Sequence, residues 1–127
     1  MQTSYLKALA SCALVLASML FSHLAWADKA SIQANLGAAR ERVVAIINGK
    51  GDAKTLAPEI AALSAKIDAE ADSVPGFKPV WEQFKANRDT RIIPAFNGGK
   101  PEDQAAAKTL AMGEQKQLYE KMLSLLN

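Results

Sequence analysis

The sequence predicts an all-α protein, an up-down-up-down antiparallel four-helix bundle. Segments rich in Ala, Leu, Lys, Glu and Gln, which favour helix, alternate with clusters of Gly and Pro, which break it. Within the segments, apolar residues recur every three or four positions, as on one face of an amphipathic helix. Apolar and polar residues do not alternate with a period of two, so we expect no strands.

The first 27 residues match the pattern of a secretory signal peptide. Lys7 supplies the positive start, and the uncharged run ALASCALVLASMLF follows it. Ala25-Trp26-Ala27 then fits the small-x-small cleavage pattern. We therefore expect cleavage after Ala27, export to a bacterial periplasm, and a mature bundle domain at residues 28–127.

Two alternatives to a cleaved signal remain open. The first is a retained membrane anchor, although the apolar run is shorter than the ~20 residues that span a bilayer comfortably. The second is lipidation at Cys12, because Leu9-Ala10-Ser11-Cys12 is similar to a lipobox. Most of the apolar stretch follows Cys12 rather than preceding it, which disfavours lipidation.

Three breaks divide the expected mature chain into four helices. They lie at Gly49-Lys50-Gly51-Asp52, at Val74-Pro75-Gly76 and at Asn97-Gly98-Gly99-Lys100. Thr55 is the expected N-cap of the second helix. Pro94 should kink or end the third helix, and Pro101 should open the fourth.

Each predicted helix has an apolar seam at helical spacing. The first two seams consist of Ile32, Leu36, Ala39, Val43 and Ile46, and of Leu56, Ile60, Leu63, Ile67 and Val74. The last two consist of Trp81, Phe84, Ile92 and Ala95, and of Ala107, Leu110, Ala111, Leu118, Met122 and Leu125. The wide apolar face of the fourth helix is either a homodimer surface or a face buried on two sides within the chain.

Composition excludes several kinds of chemistry. Cys12 and His23 are the single cysteine and histidine of the 127 residues, and both lie in the predicted signal. The mature chain would therefore lack disulfides, c-type haem, Cys or His zinc sites, a Cys nucleophile and a Ser-His-Asp triad. Gly-rich phosphate loops and nucleophile elbows are also missing from the sequence. We expect neither an enzyme nor a cofactor.

Charge gives little further information. The formal net charge is +2, and the basic residues form no run. A nucleic-acid partner is therefore not expected. Glu70 and Glu114 form a candidate carboxylate pair, but a di-iron bundle also needs Glu-x-x-His ligands, which this sequence cannot supply.

Charged residues interrupt the predicted seams. Arg88 lies midway between Phe84 and Ile92, and Arg91 lies close to it. Folding the helices back on one another places Arg40 and Arg88 in nearly the same layer. Three interpretations stay open: pairing of Arg88 with Glu70 or Glu114, extension of the arginines to solvent, or an arginine clamp for a carboxylate or phosphate. In the last case Trp81 and Phe84 would line an apolar part of the pocket.

The chain resembles the periplasmic four-helix-bundle sensor domain of methyl-accepting chemotaxis receptors. The similar residues are Leu36-x-x-Ala39-Arg40, Trp81-x-x-Phe84-x-x-x-Arg88-Asp89, Asn97-Gly98-Gly99, Ala105 to Ala107, Leu110 and Gly113. The resemblance implies binding of a small carboxylate through arginines that line the helices, commonly at a dimer interface. It makes Arg40 and Arg88 the best ligand candidates. Their positions in the sequence add Arg91 and Trp81 as further candidate ligand-binding residues.

Unlike those receptors, this sequence contains no second transmembrane helix and no signalling coiled coil. We therefore expect a free-standing sensor-type bundle that acts in signal sensing or chemotaxis with a membrane-bound signalling partner, or as a binding protein. A structural or protein-interaction bundle without a small ligand is the alternative.

The chain is also similar to cytochrome b562 in precursor size, signal peptide and Ala-rich last helix. That family holds haem between a methionine near the mature N-terminus and a histidine near the C-terminus. The first predicted helix here has no Met and the last has no His. If this chain is related to cytochrome b562, it would therefore be a relative that does not bind haem through that pair of ligands.

Overall fold

The computed structural model describes residues 27–127, and this part of the chain is helical without strands. The predicted signal peptide, with Cys12 and His23, lies outside the described residues except for Ala27. Four helical segments are present, which confirms the predicted all-α class. Their helices are α1 (27–47), α2 (Ala53–Glu70), α3 (Phe77–Asn87), α4 (Ile93–Phe96), α5 (Pro101–Met112) and α6 (Glu114–Leu126).

The third segment, residues 77–96, is continuous but changes its winding. A π-helical turn, Arg88–Ile92, joins α3 to α4. The fourth segment, residues 101–126, is interrupted at Gly113, where φ is −103° and ψ is −100°. The sequence predicted a kink near Pro94, but it did not predict the break at Gly113.

The helix ends follow from local chemistry. Asp52 caps α2 by accepting hydrogen bonds from the Lys54 backbone N–H (3.4 Å) and the Thr55 hydroxyl (3.0 Å). The expected cap at Thr55 is therefore wrong, because the acidic side chain lies one residue before the helix begins. Pro101 opens α5 as predicted, and the Lys100 N–H donates to Asp103 at 3.3 Å.

Contacts between neighbouring segments join residues whose numbers run in opposite directions. Ser31 donates to Glu70 at 3.1 Å, whereas the later Arg42 approaches the earlier Glu59 at 3.6 Å. Between the second and third segments, Trp81 contacts Asp68 at 2.7 Å and Arg88 contacts Ser64 at 2.7 Å.

The predicted seams supply most of the core. The residues buried as predicted are Ile32, Leu36, Ala39, Ile46, Ile60, Ile67, Val74, Trp81, Phe84, Ile92, Ala95, Ala107 and Met122. In α2 the buried residue after Ile60 is Ser64 rather than Leu63, which is half-buried. In the fourth segment Leu118, Tyr119 and Leu125 are half-buried and pack against the core within the chain.

Candidate functional site

A buried polar layer made of Ser64, Arg88 and Gln115, from three of the four segments, lies within the core. The first segment adds Arg40 at the surface nearby. One apolar cluster, around Trp81, lies to one side, and two smaller clusters around Ile60 and Ile92 lie to the other. Ser64, Arg88 and Gln115 are buried, and Arg40 is exposed. Buried polar groups destabilise the folded state unless they have hydrogen-bond partners.

Arg88 is the buried cation of this layer, with 1% of its surface exposed. Its Nη2 atom donates to the Ser64 hydroxyl at 2.7 Å, and its Nε atom donates to the Asp89 carboxylate at 2.8 Å. The guanidinium carbon lies 5.5 Å from the centre of the Trp81 ring. The remaining nitrogen, Nη1, is buried without a hydrogen-bond partner. An unsatisfied buried donor costs about 1–3 kcal/mol, and more when it is charged.

The π-helical turn explains how Arg88 comes to lie on the core face while its neighbours do not. Pro94 has no N–H for the Thr90 carbonyl, and its ring crowds that carbonyl. The helix widens here, and the Ile93 N–H bonds the Arg88 carbonyl five residues earlier. A wider turn rotates less per residue, so Ile92 stays below Arg88 and Arg91 moves to the outside. π-Helical turns often occur at functional sites.

Gln115 satisfies the backbone next to this turn. Its Nε2 atom donates to the Phe84 carbonyl at 3.0 Å, and its Oε1 atom accepts from Asn87 at 3.1 Å. The break at Gly113 begins a new helix, α6, two residues before Gln115. The π-helical turn of the third segment and the break at Gly113 in the fourth therefore lie on either side of the contacts made by Gln115.

A cavity of about 500 Å³ opens beside Arg88, between α1, the third segment and the fourth segment. Four cationic side chains line it: Arg40, Arg88, Lys108 and Lys116. Within the described residues, no carboxylate side chain lines it. Its apolar wall includes Val43, Val44, Ile47, Phe84, Ile92 and Met112. The cavity therefore combines a positively charged lining, in which Arg88 is paired with Asp89, with a hydrophobic surface.

A row of aromatic rings leads from the core to this cavity. Phe77, Trp81 and Phe84 stack in order with centroid distances of 6.5 and 6.2 Å. Phe84 lies 6.2 Å from Tyr119, and both line the cavity. The Arg40 guanidinium carbon lies 4.2 Å from the centre of the Tyr119 ring. This cation–π contact holds an exposed arginine at the mouth of the cavity.

Trp81 is itself held by a polar group outside the cavity. Its Nε1 atom donates to Asp68 at 2.7 Å, and Lys85 donates to the same oxygen at 2.9 Å. Burial raises the pKa of Asp68, but the hydrogen bonds from Lys85 and Trp81 and the charges of Lys85 and Arg88 together hold it below its usual value. The hydrogen bond to Asp68 raises the pKa of Lys85.

The structure brings together two of the four predicted site residues. Arg40 and Arg88 line the same cavity. Trp81 is fully buried and does not line it, but it packs behind the Arg88 guanidinium. Arg91 is exposed and lines a separate cavity of about 300 Å³ beside Asp103, because the wide turn rotates it away from Arg88.

Of the three interpretations left open, the pairing of Arg88 with Glu70 or Glu114 is wrong. The carboxylate that contacts Arg88 belongs to Asp89, the next residue. Glu70 accepts a hydrogen bond from Ser31, and Glu114 accepts one from Gln83 at 2.9 Å. The interpretation that Arg88 reaches solvent is also wrong, because its side chain is 2% exposed.

In comparisons with protein-family models, curated proteins and solved structures, the chain matched none. Within residues 27–127, no three His, Cys, Asp or Glu side chains are grouped so as to hold a metal ion. None of the helices in the described part is both long enough and apolar enough to cross a membrane.

Sequence reasoning missed the groups that complete the site. Ser64 was detectable, because it follows Ile60 by four residues and so occupies a seam position. Tyr119 adjoins Leu118 on the apolar face of the fourth helix, and nothing in that pattern marked it as a site residue. Lys108 and Lys116 carried no signal, since spacing along one helix does not tell which exposed residues border a neighbouring helix.

Proposed function

We propose that this protein binds a small anion, preferably a carboxylate, in the cavity that Arg40 and Arg88 line, and that it is not an enzyme. The observation that carries the proposal is the buried Arg88, whose Nη1 atom has no partner while its other two nitrogens do. Guanidinium donors form short, charge-assisted hydrogen bonds with carboxylates and phosphates, so one oxygen of such an anion would satisfy this donor.

Electrostatics support an anion rather than a cation or a neutral ligand. The cavity has four cationic side chains and, among the described residues, no carboxylate on its lining. Arg40, Lys108 and Lys116 are exposed around it, where they would attract an anion from solution. Arg88 would then hold it in a region from which water is largely excluded.

We also propose that the framework of the site is an up-down-up-down antiparallel four-helix bundle. The opposite running of residue numbers in the contacts between neighbouring segments supports this topology. In such a bundle, ligand sites are built from side chains on facing helices. The cavity here is bordered by three of the four segments.

Export and a role in sensing are proposed on the sequence alone. The signal-peptide pattern supports a periplasmic protein cleaved after Ala27. The resemblance to receptor sensor domains supports signal sensing or chemotaxis through a membrane-bound partner. Mass spectrometry of the exported protein tests the first part, and a mature N-terminus at Asp28 is the expected result.

A thermal-shift screen tests anion binding directly. The probes are acetate, butanoate, benzoate, succinate, citrate and inorganic phosphate. At a ligand concentration of 100 times Kd, a bound ligand adds about 2.7 kcal/mol to the free energy of unfolding. We expect at least one probe to raise the melting temperature of the wild type and to leave that of an Arg40→Ala, Arg88→Ala double variant unchanged.

The matched control is an Arg42→Ala, Arg91→Ala double variant, because Arg42 pairs with Glu59 and Arg91 lies on the other cavity. This control should keep the shift. No shift in the wild type with any probe, or an equal shift in the Arg40→Ala, Arg88→Ala variant, would overturn the proposal.

A structural or protein-interaction bundle remains the second candidate. It is favoured by one observation, that Ser64, Asp89 and Trp81 together hold Arg88 inside the core. In that case the polar layer would only fix the register of the helices, and the screen would give no shift.

A further inference from the structure

Resting on the proposed function, we infer that the ligand is a monocarboxylate with a hydrocarbon body, whose carboxylate binds at Arg88 and whose body lies against the apolar wall. The juxtaposition that supports this is one buried, unpartnered guanidinium nitrogen beside a wall of aliphatic and aromatic side chains.

The apolar wall extends to the surface at two residues. Val44 and Met112 are 42% and 78% exposed. In the described part of the chain, no other large hydrophobic side chain is classed as exposed. Both line this cavity. Exposed hydrophobic groups gathered at one concave site commonly mark a binding surface. A hydrocarbon body would remove them from water.

The distribution of charge favours one carboxylate over two. Arg88 Nη1 is the buried cationic donor left unpaired in the described residues. Arg40, Lys108 and Lys116 are exposed, so their interaction with a second carboxylate would be weakened by solvent. A second carboxylate placed against the apolar wall would instead lose its hydration without a partner.

The size of the cavity also favours an organic body. A volume of about 500 Å³ falls within the range of sites for small organic molecules. Phosphate or acetate would contact Arg88 but leave most of the apolar wall in water. A longer hydrocarbon body gains affinity from each methylene group it buries.

Titration calorimetry on the purified protein tests the ligand class. The probes are butanoate, hexanoate, octanoate, octanedioate and inorganic phosphate, with octanoate kept below the concentration at which it forms micelles. Each added methylene in the monocarboxylates should raise affinity about four-fold. Octanoate should bind more tightly than octanedioate and phosphate.

A second measurement tests the position of the hydrocarbon body. The double variant Val44→Ser, Met112→Ser should bind octanoate at least five-fold more weakly, a loss of about 1 kcal/mol, and butanoate almost as well as the wild type. The matched control Ala61→Ser, Ala62→Ser changes two exposed residues of α2 outside the cavity. It should bind both probes as the wild type does.

Binding that does not increase with chain length, or that is tightest for octanedioate or phosphate, overturns the ligand class and leaves anion binding intact. Binding of no anion by the wild type overturns both.

Discussion

The guanidinium carbon of Arg88 lies 5.5 Å from the centre of the Trp81 ring, with both side chains almost completely buried. Trp81 also donates from Nε1 to Asp68 at 2.7 Å. The indole therefore connects an anchored carboxylate near the surface to a buried cation beside the cavity. This arrangement fixes Arg88 while leaving its Nη1 atom without a partner.

Ser64→Ala removes the hydroxyl that accepts from Arg88 Nη2. Arg88 Nη2 then loses the shorter of its two hydrogen bonds and keeps the one to Asp89 at 3.3 Å. We expect the free energy of unfolding to fall by about 1–2 kcal/mol. Ser73→Ala is the matched control, because the Ser73 hydroxyl makes its bond to the Glu70 carbonyl at an exposed position. It should change stability by less than about 0.5 kcal/mol. Urea unfolding measures both, and equal losses would contradict the assigned role of Ser64.

Pro94→Ala supplies the N–H that the Thr90 carbonyl lacks. We expect the π-helical turn to tighten toward an α-helix, with a gain in stability of up to about 1 kcal/mol from the restored hydrogen bond. Arg88 would then rotate relative to the cavity, and carboxylate affinity should fall. Calorimetry and urea unfolding give the two quantities.

The control for Pro94→Ala is Pro58→Ala, also inside a helix but exposed and away from the cavity. Its carboxylate affinity should match that of the wild type. Unchanged affinity in the Pro94→Ala variant would mean that the turn does not position Arg88.

The apolar pattern was sufficient to predict the helical segments and most of the core, because helical spacing and Gly-Pro breaks act locally. It was also sufficient to group Arg40 with Arg88. When the helices are folded back on one another at the predicted breaks, the position of each residue along the bundle follows approximately. It failed for Arg91, because the π-helical turn changes the angle per residue only between Arg88 and Ile92. It failed for the partner of Arg88, because it considered seam carboxylates and not the adjacent Asp89.

Acid should weaken the anchor of Trp81. The pKa of Asp68 lies below its usual value, so Asp68 stabilises the folded state above that usual value, and the stabilisation is lost as pH falls through the folded-state pKa. The pKa of Lys85 is raised, so the contribution of Lys85 to the stability of the folded state is lost only as pH rises through its folded-state pKa. The pair is therefore effective between the usual pKa values of 3.8 and 10.5.

Asp68→Asn measures this contribution. The Asp68 side chain is 42% exposed, so we expect a loss of no more than about 1 kcal/mol at neutral pH and a smaller difference from wild type at about pH 2. Asp72→Asn, which removes an exposed contact with Lys78, should cost less at neutral pH. A difference between Asp68→Asn and wild type that grows on acidification would contradict the sign.

Two glycines should respond to alanine in opposite directions. Gly37 lies inside α1 with nothing within 4 Å of an added Cβ, so Gly37→Ala should stabilise the protein by about 0.5–1 kcal/mol. A Cβ on Gly99 would collide with the Ala95 carbonyl oxygen, which belongs to backbone and cannot move cheaply. Gly99→Ala should therefore destabilise by more than about 1 kcal/mol. Thermal unfolding of both variants checks the pair.

The Arg88→Met variant tests most directly whether Arg88 binds the carboxylate. Two quantities are measured: its affinity for the carboxylate that binds the wild type most tightly, and its stability in urea. Methionine fills similar space, the exposed Asp89 carboxylate stays hydrated, and Ser64 keeps its bond to the Ile60 carbonyl at 2.7 Å. We therefore expect a folded variant with stability near that of the wild type and carboxylate affinity at least ten-fold lower. Wild-type affinity in this variant, or a loss of several kcal/mol in stability with binding intact, would mean that Arg88 is structural and that the anion site is not there.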